Sequence, residues 1–166
     1  MIATLLKGFL QNFPLWMLLL GLVLGIAHAR RVRPSEAPGA LARETIFWSI
    51  GISGIWGFVF HVFFAQIASG SIGWQPSGFE TEVGFANLAI GLLGIIALFR
   101  PIEFSWAATI AASVFLLGAA ANHIAGIVLA KNLAPGNAGT ILWTDILIPV
   151  IAIVLTARAS RARSYA

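Results

Sequence analysis

Residues 106–130 read WAATIAASVFLLGAAANHIAGIVLA, a stretch without a single Asp, Glu, Lys or Arg. A helix of about 20 apolar residues crosses the ~30 Å hydrocarbon of a bilayer, so this segment predicts a membrane span. Four more segments fit the same description. They run from about Phe9 to Ala29, with Pro14 tolerated near the start, then over Thr45–Ala68, Phe79–Phe99 and Leu142–Ala157. The last is the shortest. Bulk chemistry agrees: hydrophobic residues make up 59% of the 166 and charged ones only 10%, whereas a soluble domain needs about 25% charged residues to face water. The expected fold is all-α, a transmembrane helical bundle of about five spans. It forms a single domain over residues 1–166, with the lipid bilayer as its surroundings.

The first segment admits a second reading, because Ala27-His28-Ala29 resembles the small-residue cleavage site of a signal peptide. Against this, Arg30, Arg31 and Arg33 follow at once, and dense positive charge opposes translocation of what comes next. The segment is read as a retained helix. The residues between it and the next span, Arg30–Glu44, form the longest polar stretch and read as a loop.

Lysine and arginine set the orientation. Arg30, Arg31, Arg33 and Arg43 lie between spans one and two, Arg100 between three and four, and Arg158, Arg161 and Arg163 in the tail. Eight of the ten basic residues thus fall on one side, leaving Lys7 and Lys131 opposite. With five spans this predicts an outer N-terminus and a cytoplasmic C-terminus. Basic residues that flank apolar segments also argue against a nucleic-acid partner. With no cysteine in the chain, disulfides, thiolate metal sites and cysteine nucleophiles are excluded.

Small residues recur at helical spacing: Gly21 and Gly25 in span one, Gly54 and Gly57 in span two, Gly84, Gly91 and Gly94 in span three, and Gly118 and Gly126 in span four. Such stripes let helix backbones approach closely in lipid. His61, Asn87 and Asn122 share these faces and are expected to point into the bundle.

An ionisable group in hydrocarbon costs at least ~2.5–3.5 kcal/mol on insertion scales, which makes each one a functional candidate. His61, Glu82, Asn87, His123 and Asp145 qualify. Counting rise per residue, His61, Asn87 and His123 lie about 10 Å below the outer surface, while Glu82 and Asp145 lie about one turn below it. The inner halves of the same spans hold only apolar and small residues. His61, His123, Glu82 and Asp145 form a candidate ligand set for a divalent metal ion, and the two histidines are candidate axial ligands of a b-type haem. Glu82, Asn87, Asn122 and Trp74 are candidate contacts for a small polar ligand. The plainer alternative is that the histidines and asparagines only bridge helices.

Two details refine this picture. Pro149 lies four residues after Asp145 and removes the helical hydrogen bond to the Asp145 carbonyl. Ser77 and Glu80 fit a capping box, so Glu80 reads as structural. The uncharged loop of residues 69–78, which carries Trp74, reads either as a lid over the polar layer or as an interfacial turn.

The run Gly73-Trp74-Gln75-Pro76-Ser77-Gly78-Phe79-Glu80-Thr81-Glu82-Val83-Gly84-Phe85-Ala86-Asn87 resembles the G-W-x-x-S-P-F-x-x-E-V-G-x-A-N signature of an uncharacterised family of small bacterial multi-pass proteins. The likeness departs at Gly78, where the signature has Pro. It implies a bacterial inner-membrane location and places the signature Glu, Gly and Asn on Glu82, Gly84 and Asn87, without supplying an activity. No HExxH, nucleophile elbow, P-loop or dinucleotide fingerprint occurs. Three function classes follow: a membrane protein with an outward-facing site for a metal ion or small polar ligand, a haem- or metal-dependent redox enzyme, and an accessory subunit of a homo-oligomer or larger membrane complex.

Overall fold

The computed structural model describes residues 8–164, and Lys7 lies outside them. From Phe13 onward, the described residues form seven helices in order: α1 (Phe13–Ala29), α2 (Ala37–Phe63, with a π-helical segment Phe47–Ile52), α3 (Ala65–Ile72), α4 (Phe79–Leu98), α5 (Ile102–Ala130), the short α6 (Pro135–Ala138) and α7 (Thr140–Ser164). Among the described residues, four helices are long and apolar enough to cross a membrane: α2, α4, α5 and the stretch Pro135–Ser164. The apolar α1 is shorter, at 17 residues. The flanks of the long helices expose many large apolar side chains, with Leu129 83% exposed and Val114 74% exposed, which suits lipid rather than water as the surrounding solvent.

Three boundaries differ from the hydropathy reading. Helix α2 starts at Ala37, inside the expected loop. The sequence APGALARE carries Pro in its first turn and good helix formers after it, and buries Ala40 and Ala42. The same helix stops at Phe63, because Phe64 leaves the helical region (φ −129°, ψ 35°) and α3 begins as a separate element. At the other end of the chain, α7 continues past Ala157 to Ser164, carrying Arg158, Arg161 and Arg163 as helical residues.

Glycines bring α1, α2 and α4 into backbone contact. A Cβ on Gly21 would sit 3.0 Å from the Thr45 Cα, and one on Gly54 would sit 2.6 Å from the Gly91 Cα. The tightest crossing lies at the π-helical segment, where a Cβ on Gly94 would meet the Gly51 nitrogen at 2.5 Å. Gly118 is an exception to the expected stripe, with no atom within 4 Å of its Cβ position; it borders a cavity. The central core joins five helices through Leu18, Ile46, Ile50, Ala97, Ala112 and Ile148.

Helices α1, α2, α4, α5 and α7 alternate in direction. One end of the bundle gathers the start of α1, the finish of α2, the start of α4, the finish of α5 and the start of α7. The other end gathers the eight arginines. Lys131, in the left-handed conformation (φ 54°), closes α5 at the first end.

Candidate functional site

A cavity of about 830 Å³ opens at the end of the bundle away from the arginines. Its walls are mostly apolar, with Trp56, Phe60, Ile72, Phe115, Leu116 and Ile148 among them, and a few polar side chains converge on it. Such a mixture is the usual character of a small-molecule pocket. His61, Trp74, Asn87, Asn122, His123 and Asp145 all line it, Trp74 and Asn122 from exposed positions, so most of the polar layer inferred from helix depth borders one space.

The most ordered part is a buried chain of hydrogen bonds around His123, which is 6% exposed. Its Nδ1 lies 2.8 Å from the Oδ1 of Asn137. The Asn137 Nδ2 donates to the carbonyls of His123 (3.2 Å) and Asn132 (2.9 Å). A carbonyl only accepts, so the amide nitrogen of Asn137 must face those two groups and its oxygen must face the imidazole. Nδ1 of His123 therefore carries a hydrogen. The proton at Nδ1 is assigned by its partners, and in the neutral ring Nε2 is left as the bare lone pair.

Nε2 faces Asp145, with Oδ2 at 3.6 Å and both side chains 7% exposed. That separation exceeds a direct hydrogen bond. A proton placed between the two groups makes either an imidazolium–carboxylate pair or a neutral imidazole beside a carboxylic acid. A ligand atom entering this gap meets the imidazole nitrogen on one side and the Asp145 carboxyl group on the other. Pro149 lies inside α7 and leaves the Asp145 carbonyl without its helical donor. Trp74 stacks over the His123 ring at 6.3 Å between centroids and 25° between planes.

Asn132 and Asn137 build this geometry, and neither stands out by hydropathy or helix depth. Asn132 donates from Nδ2 to the Ile72 carbonyl (2.8 Å) and accepts from the Ala134 N–H (3.1 Å), tying the loop after α5 to the end of α3. Asn137 is fully buried. Both sit in the Gly- and Pro-containing segment Asn132–Thr140, where asparagine reads as a turn former. Their signal would have been two asparagines flanking Pro135 directly after a helix that carries an intramembrane histidine.

Across the cavity, the Nδ1 of His61 is buried without a hydrogen-bond partner among the described residues. Glu80 lines the same space and is buried. Only the carboxylate half of the expected capping box forms: Ser77 donates to the Glu80 carboxylate from its N–H (2.9 Å) and its hydroxyl (2.9 Å), while that hydroxyl accepts from the Phe79 N–H (3.3 Å) and Gly78 stands as the N-cap residue. Glu80 thus faces the cavity as well as tying down the start of α4. Asn87 returns its Nδ2 to the Val83 carbonyl (2.9 Å) and packs against Gly57.

Glu82 is exposed and does not line the cavity. Two residues on a helix stand about 200° apart, so anchoring Glu80 inward turns Glu82 outward. Among the described residues no group of three or more His, Cys, Asp or Glu side chains converges as a metal site. The expected set of His61, His123, Glu82 and Asp145 is not brought together; His123 and Asp145 are.

The model of a family of unknown function, DUF6790, matches residues 11–165, from just ahead of α1 to the end of α7. The chain belongs to DUF6790. No curated protein and no solved structure matches it. Apart from Leu10, every residue that lines the cavity falls inside the DUF6790 match.

Proposed function

We propose that this DUF6790 chain is a multi-pass protein of the bacterial inner membrane that holds a small amphipathic ligand in an outward-facing cavity. In this reading α1 is a fifth span, the N-terminus is outside, and the arginine end faces the cytoplasm. The ligand has an apolar body, matched to the aromatic and aliphatic walls, and a hydrogen-bonding head that reaches His123 Nε2 and Asp145. One observation carries the proposal: a buried histidine whose tautomer is set by Asn137 turns its other nitrogen toward an acid inside a large, mainly apolar cavity. Building such an arrangement only to bridge helices would not require the open space.

The test is to purify the protein under mild extraction and identify co-purifying small molecules by mass spectrometry. A stoichiometric compound present with wild type and with His28→Ala, and lost with His123→Ala, is the expected result. Identical small-molecule content in all three preparations would sink the proposal. A second reading is favoured by the His61 Nδ1, unpartnered among the described residues: a metal ion or b-type haem shared by His61 and His123. Stoichiometric metal or a haem absorbance band that disappears in His61→Ala would select it.

A further inference from the structure

The arginine end contains a second recess, of about 390 Å³, which the ligand cavity does not reach. Arg33, Arg43 and Arg163 line it, together with Ser35, Gly39 and one acidic residue, Glu36. Its floor is apolar and close-packed, made by Ile102 and Ala159, which belong to a small buried cluster with Ala42. The three guanidiniums come from three separate places in the chain: the loop after α1, the second turn of α2, and the end of α7.

Their carboxylate partners do not balance them. Arg33 is paired with Glu36, and Arg163 with the exposed Glu103. Arg43 is half-buried and makes no ion pair among the described residues. Arg43 lacks a direct ion pair and feels the charge of the nearby Glu36, so three guanidiniums face only the two carboxylates of Glu36 and Glu103, and the recess is short of negative charge. Arginine forks match the oxygens of a phosphoryl group, each fork engaging two of them. The recess also lies at the ends of α2, α5 and α7, level with the boundary of the apolar spans, where lipid phosphates reside. Basic pockets between spans at this depth suit anionic headgroups.

We propose that this recess binds an anionic phosphoryl group, with Arg43 as its principal contact and Arg33 and Arg163 as flanking ones. Glu36 competes with the ligand for Arg33. The hydrogen bond from Arg33 holds the Glu36 carboxyl below the usual carboxylate range, so the competitor is charged at neutral pH. The group is supplied either by an anionic phospholipid or by free phosphate.

The full-length protein in detergent micelles distinguishes the sources. Native mass spectrometry would be titrated with dioleoyl phosphatidylglycerol and with dioleoyl phosphatidylcholine, and thermal unfolding followed in sodium phosphate against sodium chloride at equal ionic strength. The expected result is one phosphatidylglycerol bound about tenfold more tightly than phosphatidylcholine. R43Q should weaken that binding about tenfold, E36Q should strengthen it, and R31Q, an exposed arginine outside the recess, should leave it unchanged. Stabilisation by sodium phosphate that R43Q abolishes would make free phosphate the source and keep the site. Equal binding of the two lipids with no phosphate effect, or equal losses in R31Q and R43Q, would overturn the proposal. Because E36Q predicts a gain, a folding defect in R43Q cannot imitate the full pattern.

Discussion

At the arginine end and through the middle of the bundle, several hydroxyl side chains turn back onto their own helices, and α5 meets α7 through Thr109–Thr156 and Trp106–Ser160. Thr45 donates to the Leu41 carbonyl (2.8 Å), Ser49 to Thr45 (2.7 Å) and Ser160 to Thr156 (2.9 Å). At the cavity end two asparagines and one imidazole reach across between elements, although Asn87 still returns to its own helix. Asn137 joins α6 to α5, and Asn132 joins the loop after α5 to α3. Both regions bury polar groups, but the space beside the His123 network is a large and mainly apolar cavity, whereas the recess at the arginine end is smaller and lined by charged side chains. Burial of polar atoms by itself therefore says little about function here. The informative feature is a polar network satisfied on one side and open on the other.

The glycine crossing breaks this comparison most severely. Gly94→Val places side-chain atoms where the Gly51 backbone already stands and should destabilise the bundle by about 3 kcal/mol, read from denaturant unfolding in micelles. Gly118→Ala, at the open cavity, should be neutral or stabilise by up to about 1 kcal/mol through helix propensity. Equal losses at the two sites would mean that the cavity end is as tightly filled as the crossing.

Next in size is Asn137→Ala. It strands two carbonyls and the His123 Nδ1–H, at a cost of about 2–3 kcal/mol, and it frees the imidazole to change tautomer. Histidine nitrogen spectra should show a mixture of Nδ1–H and Nε2–H forms for His123 in the variant. The matching change in the closed region is the double substitution Thr109→Val/Thr156→Val. It removes both members of a buried hydroxyl pair 3.2 Å apart and should cost no more than about 1 kcal/mol, because no partner is left unsatisfied. A larger loss for the threonine pair than for Asn137 would reverse the ranking.

The smallest effect belongs to the exposed Arg33–Glu36 pair. Its hydrogen bond lowers the Glu36 carboxyl, so whatever it adds to stability is present at neutral pH and fades as acid protonates Glu36 below the ordinary carboxylate range. Full exposure keeps that contribution small and sensitive to salt. Unfolding midpoints of wild type and E36Q should converge as the pH falls from 7 toward 3, and added salt should narrow the gap at neutral pH.

Much of this contrast follows from residue spacing alone. Helix depth places His61, Asn87, His123 and Asp145 in one layer, and all four line the cavity. The family match fits the expectation of an uncharacterised domain. Rotation about the helix axis was harder to read than depth. Glu80 and Glu82 differ by little in depth, and which of them turns inward depends on the hydrogen bonds from Ser77 to Glu80, whose direction is a property of the turn. Asn132 and Asn137 were hidden for a different reason. They lie in a loop where hydropathy carries no signal, and they matter through partners on α3 and α5. The helical start at Ala37 is masked by Arg43 and Glu44, which lower the hydropathy of a turn that buries Ala40 and Ala42.

The central claim, a ligand held at His123 Nε2 beside Asp145, is tested most directly by nitrogen NMR of histidine-labelled, delipidated protein before and after adding back the host's total lipid extract. The account predicts a persistent Nδ1–H resonance for His123 and a shift confined to its Nε2 when the extract is added. A His123 found as the Nε2–H tautomer, or one whose nitrogens do not respond while the surface His28 does, would contradict it.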